Sequence, residues 1–253
     1  MTISERAWDK FVADLRKISD AAASRFGAFL EQHPPVDQEA VNALIDYAFA
    51  LCTRYGEAAG ELACQMFDAV AAAEGVIVPA AAPAATATME EVARAVVGTA
   101  KTGNSEIMSA AVGRLVKMAG VDTTLENAIR DGAEYAWIPR GETCAFCIAL
   151  ASRGWQPASK KAMQGGHAEH IHANCDCTYA IRFSERSTVS GYDPDRYREM
   201  YDDAPGRSSA ARINSMRREI YAENAEEINA QKRINYARRR ALESSEAEEA
   251  YIS

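Results

Sequence analysis

Apolar residues recur every three or four positions along most of the chain, which is the spacing of one face of an α-helix. This pattern predicts a first helix over residues 7–30, ended by the His33-Pro34-Pro35 sequence, and a second over residues 37–74, ended by Gly75. We expect the two helices to pack as an antiparallel hairpin. The apolar positions that define them are Trp8, Phe11, Val12, Leu15, Ile18, Phe26 and Phe29, then Val41, Leu44, Ala48, Leu51, Tyr55, Leu62, Met66 and Val70.

Helical spacing returns in the middle of the chain, over residues 89–100 and again over 107–119. Gly120 is expected to end the second of these helices, because glycine is a common helix terminator. Asp122 or Thr123 is placed to cap a further short helix after it.

The pattern changes on both sides of a cluster of cysteines and histidines. Residues 134–138 (EYAWI) and 178–183 (TYAIRF) are short, aromatic and β-branched, which predicts two strands of one small sheet. From Pro194 onward the spacing is helical again. The stretch from Gly206 to Ser253 is highly charged with few apolar residues, and predicts an exposed helix or one that becomes ordered on a partner.

These elements predict a mainly α fold with four parts. Residues 1–76 form the helical hairpin, and 77–88 an Ala/Pro linker or extended arm, since PAAAPAATAT has two prolines and no bulky apolar residue. Residues 89–193 hold helices and a small α+β module with a short antiparallel sheet, stapled by zinc. Residues 194–253 form a charged C-terminal helical arm.

Composition narrows the functional classes. The chain has 253 residues, of which 48% are hydrophobic and 25% charged, so it can build a core without metal or disulfides. No segment approaches about 18 consecutive apolar residues, and the charged start MTISERAWDKF does not match a signal peptide. We therefore expect a reducing cytosolic environment and no membrane contact. A net charge of -8 argues against a protein that coats nucleic acid over its whole surface.

The strongest chemical motif is a set of four cysteines and one histidine. Cys144 and Cys147 form a Cys-x-x-Cys pair, and His172, Cys175 and Cys177 follow after a gap. A Cys-x-x-Cys turn offers two thiolates to one ion, and a second group of ligands completes the tetrahedron that zinc prefers. The sequence therefore predicts one structural Zn²⁺ site, fully enclosed by protein ligands.

Five candidates compete for four ligand positions. Cys144, Cys147 and Cys175 rank first, and the fourth ligand is either His172 or Cys177. The alternatives are reduced cysteines without metal, or a redox centre of the thioredoxin type, which would need a βαβ context that the sequence does not predict.

An enzymatic alternative is a zinc deaminase, because His167-Ala-Glu169 matches the His-x-Glu of those enzymes. In deaminases the Cys-x-x-Cys follows His-x-Glu and is preceded by proline, whereas here it comes first and Thr143 precedes it. Glu169 is therefore interpreted as a solvated loop carboxylate. His167 and His170 are additional candidate ligands, which we interpret as lying beside the site or facing solvent. No catalytic residue is predicted. A zinc-stabilised nucleic-acid-binding module is the third class.

Cys52 and Cys64 lie outside this motif. They are twelve residues apart on the second predicted helix, so they face different directions about 18 Å apart along its axis. We expect both to be small buried hydrophobic residues.

Three segments resemble a known family: AWIPRGETCAFCIALASRGW, HANCDCTYAI and YDPDRYREMYDDA. They look like the minor head proteins of tailed bacteriophages related to the Mu F protein, in the branch common in phages of actinobacteria. RYGEAAGELACQMFDAV also looks like their first helical region. Ala173 and Asp176 depart from the family pattern, which commonly has proline and arginine there, without changing a candidate ligand.

The resemblance implies a non-enzymatic virion component assembled in the bacterial host cytoplasm. It would lie inside the head near the portal vertex, contact the portal and major capsid proteins, and act in head assembly or in DNA packaging or delivery. Between Gly206 and Arg240 nine basic residues face four acidic ones, and Arg238, Arg239 and Arg240 are candidates for contact with packaged DNA. The alternative is a solvated helix face with Glu–Arg pairs.

Overall fold

The computed structural model describes residues 2–140, 143–160, 177–227, 229–230, 232–234 and 236–237. Over these residues the chain is mainly helical, with a small antiparallel sheet, as the sequence predicts. The elements are β1 (Thr2–Ile3), α1 (Glu5–Gln32), α2 (Gln38–Glu74), α3 (Met89–Ala100), α4 (Ser105–Asp131), β2 (Glu134–Ile138), α5 (Ala145–Ala151), β3 (Gln156–Pro157), β4 (Thr178–Arg182), β5 (Thr188–Val189), α6 (Pro194–Asp203) and α7 (Ser209–Glu223). No helix within the described residues is both long enough and apolar enough to span a membrane.

Helices α1 and α2 form the predicted antiparallel hairpin. The ring of Phe29 stacks on Tyr47, and the Arg25 guanidinium lies over the Tyr55 ring, so that contacts move up one helix as they move down the other. The side chain of Asp37 caps α2, and Gly75 ends it in the left-handed conformation with φ of 69°. Local sequence thus sets both ends of α2.

Helix α4 differs from the prediction, because it is one helix from Ser105 to Asp131 and not two. Gly120 lies inside it, where a Cβ would come within 3.1 Å of the Ala59 backbone oxygen of α2. The glycine therefore permits close helix packing and does not end the helix. Thr123 is not a cap either, since its hydroxyl donates to Ala119 O one turn earlier (2.6 Å).

Residues 77–88, which we call the strap, are extended as predicted and bind along α2 and α4. The Ala82 N–H donates to Asn127 Oδ1 (3.0 Å), and Asn127 Nδ2 donates to Ala82 O (2.8 Å). The Ala84 N–H donates to Thr123 Oγ1 (2.9 Å). One hydrophobic core runs across the strap, with buried residues from Trp8 to Tyr192.

The two predicted strands pair in one sheet. The strand order is β3-β2-β4, both pairings are antiparallel, and the register joins Glu134 to Arg182 and Ile138 to Thr178. The Glu134–Arg182 cross-strand pair is an ion pair of 2.6 Å, and the Arg182 guanidinium also lies over Trp155. Separately, β1 pairs in parallel with β5 and so holds the N-terminus against the body.

The beginning of the charged C-terminal arm packs on its own chain. Helix α7 buries Met216 in a second, smaller cluster with Ala145, Ile148 and Ala149 of α5 and Ala204 after α6. The sequence predicts that the apolar residues of the arm are exposed or covered by another molecule. In α7 they pack instead against α5 and α6 of the same chain. After Asn224, which terminates α7, helical residues continue through 237 wherever the chain is described.

Candidate metal centre

The Cys-x-x-Cys pair lies at the N-terminus of α5. Cys144 is the N-cap of this helix, and its Sγ accepts a hydrogen bond from the Cys147 N–H (3.4 Å). Cys144 is half-buried and Cys147 is buried. An amide directed at the sulfur stabilises a thiolate, so this turn has the local geometry that the predicted zinc site requires of its first two ligands.

Cys177 comes to the same end of the sheet through strand pairing. It directly precedes β4, whose first residue Thr178 pairs with Ile138, the last residue of β2. The chain leaving β2 leads to Cys144 six residues later. The Cys177 Sγ donates a hydrogen bond to the Arg140 carbonyl (3.9 Å), and its side chain is fully buried. The sheet therefore brings a third predicted ligand beside Arg140, in the segment that leads from β2 to the cysteine turn.

The other predicted ligands, His172 and Cys175, lie outside the described residues, as do His167, Glu169 and His170. Within the described part of the chain, no three His, Cys, Asp or Glu side chains are grouped to hold a metal ion. A site of the predicted kind thus depends on at least one ligand from the segment over residues 161–176.

Arg140 connects this loop to the first helix through contacts that no local sequence pattern predicts. Its guanidinium forms ion pairs with Asp9 and Glu5 of α1, the latter at 4.0 Å. Its carbonyl accepts the bond from Cys177. Arg140 thus links α1 to the segment that precedes the cysteine turn. Its ion pair with Asp9 joins positions more than a hundred residues apart in sequence.

The face of α5 that carries Ala145, Ile148 and Ala149 supports the C-terminal helices. The Tyr192 hydroxyl, ahead of α6, donates to the carbonyl of Ala151 at the end of α5 (2.8 Å), and burial raises the pKa of this phenol. The same seven-residue helix therefore presents cysteines at its N-terminus and packs against α6 and α7 along its side.

Cys52 and Cys64 are buried in or beside the helical core, as predicted. Burial raises the pKa of the Cys52 thiol to about 12 and also raises the pKa of Cys64. Both are therefore neutral thiols at physiological pH and serve as small core residues.

A cleft between the strap, α3 and α4 holds a titratable group that the sequence did not mark. It has a volume of about 650 Å³, and Asp122 lies in its lining with Glu91, Arg94 and Arg114. Burial, followed by the charges of Glu126 and Glu91, raises the pKa of the Asp122 carboxyl to about 6. The sequence predicts Asp122 as a possible cap at the start of a helix. It lies instead inside the continuous helix α4, beside this cleft.

A family model described as VG15 protein matches residues 2–204, and so covers every described element up to the end of α6 while leaving out α7. Neither the curated proteins nor the solved structures contain a significant match to the chain.

Proposed function

Because the chain belongs to the VG15 protein family, a family of phage gene products, we propose that it is a non-enzymatic minor protein of the phage head. The proposed location is the interior of the head near the portal vertex, in contact with the portal and major capsid proteins. Its proposed role is in head assembly or in DNA packaging or delivery. The observation that carries this proposal is the family match over residues 2–204. That range also contains the cysteine motif that resembles the one in minor head proteins of tailed phages.

The proposal includes one structural zinc ion held by Cys144, Cys147 and Cys175, with a fourth ligand from His172 or Cys177. Support comes from the Cys144 turn, whose sulfur already accepts an amide, and from the strand register that brings Cys177 to the same loop. When bound, the ion would fix the start of α5 relative to β4. The opposite face of α5 packs on α6 and α7 through side-chain contacts that need no metal.

The environment of Cys177 favours His172 as the fourth ligand. The Cys177 side chain is fully buried, and its Sγ lies 3.9 Å from the Arg140 carbonyl oxygen, a neighbour that suits a protonated thiol better than a zinc-bound thiolate. Under this assignment Cys177 packs beside the site as a neutral thiol. His172 completes a Cys₃His set, which is a common structural zinc site.

Metal analysis of the full chain tests the zinc site. We expect purified protein to contain one zinc per chain by mass spectrometry of the metal, and Cys144→Ser/Cys147→Ser to contain none. Cys52→Ala/Cys64→Ala is the matched control, because it also removes two cysteines and is expected to keep the metal. His172→Ala should lower zinc content, whereas Cys177→Ala should retain it. Metal-free wild-type protein with an unchanged Tm after chelation contradicts the site.

The location in the particle needs a separate experiment. Phage particles and isolated portal complexes are purified from the native system, and the protein is quantified by mass spectrometry against the major capsid protein. We expect a low copy number that remains after external proteins are removed by protease. Consistent absence from particles and portal complexes would contradict the head assignment and leave the zinc result unaffected. A variant lacking the charges of Arg238, Arg239 and Arg240 tests the proposed contact of these residues with packaged DNA.

A further inference from the structure

Helix α7 and the turn before it are rich in basic side chains. Residues 206–218 contain four arginines and no aspartate or glutamate, in a chain whose net charge is -8. Arg212 is used internally, since its Nη1 lies 2.7 Å from Asp202 Oδ1. Arg217 and Arg218 are exposed and form no ion pair with any described residue. Their charges are therefore available to a partner.

These arginines belong to a continuous stripe along α7. Asn214, Arg217, Arg218 and Tyr221 have the spacing i, i+3, i+4 and i+7, which places them on one side of a helix. Tyr221 is 42% exposed. At 100° per residue, Glu219 and Glu223 of the same helix lie about 150° and about 170° around the axis from the centre of the stripe. Arg217 and Arg218 are thus separated from the acidic side chains of α7, which lie on the same side of the helix as the internally paired Arg212.

The chain after α7 adds a further cation to the stripe. Lys232 Nζ lies 5.0 Å from the centre of the Tyr221 ring and donates to its hydroxyl (3.1 Å). The Tyr221 hydroxyl also contacts Asn229 Oδ1 (3.3 Å). Among the described residues no carboxylate pairs with Lys232. We call Asn214, Arg217, Arg218, Tyr221 and Lys232 the α7 basic stripe.

Packing fixes the direction in which the stripe faces. The apolar side of α7, with Ile213, Met216 and Ile220, lies against α5 and α6, and Met216 is buried. The Arg212–Asp202 ion pair and the Arg212 guanidinium over Tyr201 brace the turn between α6 and α7. The stripe is therefore displayed by a docked helix, which reduces the entropy lost when a partner binds.

We propose that the α7 basic stripe is a nucleic-acid-binding surface that contacts the phosphate backbone. Two adjacent guanidinium groups suit phosphate oxygens, because each offers paired N–H donors in one plane. Asn214 adds an amide donor, and the exposed aromatic ring between the cations gives a base or sugar a surface to contact. The stripe has no set of side chains that would select a base sequence, so binding is sequence-independent. The inference stands on the geometry of α7 and does not require a location in the phage head.

The test uses the full-length protein and fluorescein-labelled DNA of mixed sequence, single- and double-stranded, with affinity measured by fluorescence anisotropy at several salt concentrations. For Arg217→Ala/Arg218→Ala we expect affinity at low salt to fall by about tenfold or more. The slope of log K against log salt should fall by about 2, since each lost phosphate contact removes about 0.9. Circular dichroism and Tm establish that the variant is folded.

The matched control is Arg6→Ala/Arg54→Ala, which removes two exposed arginines elsewhere and changes the net charge equally. Its affinity should stay within about twofold of wild type. Arg217→Lys/Arg218→Lys should keep most of the salt dependence, because the charges remain. Three outcomes overturn the proposal: no binding by the wild-type protein at low salt, equal losses in the two alanine variants, or displacement of DNA by polyglutamate at matched charge. The last would identify an acidic protein as the partner.

Discussion

Asp122 shows how one residue acquires an environment that its own sequence neighbours do not predict. Its carboxyl group lies on a continuous helix beside the cleft under the strap, and its pKa is about 6 against an ordinary 3.8. Burial is the main cause, and the charges of Glu126 and Glu91 add to it. Asp122 therefore holds its proton up to a higher pH in the folded protein than in the unfolded chain. Asp122 should make stability depend on pH in the mildly acidic range.

The sign of this dependence follows from the two pKa values. The unfolded chain releases the Asp122 proton near pH 4 and the folded chain near pH 6, so the contribution of this group to stability is lost as the pH rises through that window. Asp122→Asn should raise the free energy of unfolding by about 1–2 kcal/mol at pH 8 and change it little at pH 4. Urea denaturation at both pH values measures this. The exposed control Glu31→Gln should show no such pH-dependent gain, and equal gains at both values would contradict the assignment.

Asn127 is the residue that holds the strap most directly. It is buried, and its amide group both accepts from and donates to the backbone of Ala82. Asn127→Ala leaves both of those backbone groups without their partner, so we expect a loss of about 2–3 kcal/mol in the free energy of unfolding. Asn42→Ala, at an exposed position of α2, should cost far less. Hydrogen exchange at the Ala82 amide should also accelerate in the Asn127 variant, and unchanged exchange there would contradict this role.

At the scale of elements, the central helix α4 depends on glycines where it crosses its neighbours. A Cβ at Gly120 would lie 3.1 Å from the Ala59 backbone oxygen and 3.2 Å from Leu15 Cδ1. Gly98 of α3 provides a matched control, because a Cβ there meets nothing within 4 Å. We expect Gly98→Ala to stabilise the protein by about 0.5–1 kcal/mol, and Gly120→Ala to destabilise it despite the better helix propensity. Thermal and urea unfolding compare the two. Stabilisation by both would show that α2 and α4 separate easily.

The sequence predicts elements where the information is local. Side-chain periodicity defines α1, α2 and α3, because the buried face of a helix recurs within one or two turns. Periodicity does not predict the role of Gly120, because that role depends on close packing against the Ala59 carbonyl, 61 residues earlier in the chain. The strap is similar: its proline and alanine content predicts extended chain, while its hydrogen bonds to Thr123 and Asn127 are set by tertiary structure.

The same limit applies to the candidate metal centre. Ligand chemistry and spacing predict five candidate ligands, Cys144, Cys147, His172, Cys175 and Cys177, and this prediction is open to the metal analysis proposed above. Strand pairing brings Cys177 to the segment before the cysteine turn. Nothing local predicts that Arg140 pairs with Asp9, because an ion pair between distant positions leaves no periodic pattern. The α7 basic stripe lies between these cases: its spacing is visible in the sequence, but only the docking of Met216 shows which side remains exposed.

At the scale of the whole molecule, the described residues pack in two hydrophobic clusters. The large one unites α1 to α4 with the sheet, and the small one joins α6 and α7 to α5. The family match ends at residue 204, just before α7, so the large cluster lies within the matched range and the outermost helix lies beyond it. Helix α7, which packs only on the small cluster, is therefore expected to come loose before the body unfolds.

A charge placed in the small cluster tests this order. Met216→Asp buries an unpaired carboxylate against α5, and should release α7 while the helical body stays folded. Limited trypsin digestion should then cut the variant rapidly at Arg207, Arg212, Arg217 and Arg218, and leave a resistant fragment containing α1 to α5. Met200→Asp on α6 is the control, since Met200 is 42% exposed and its substitution should preserve the wild-type digestion pattern. Digestion of α1 to α5 together with α7 would show instead that the two clusters unfold as one cooperative unit. The small cluster would then also stabilise the helices of the large cluster.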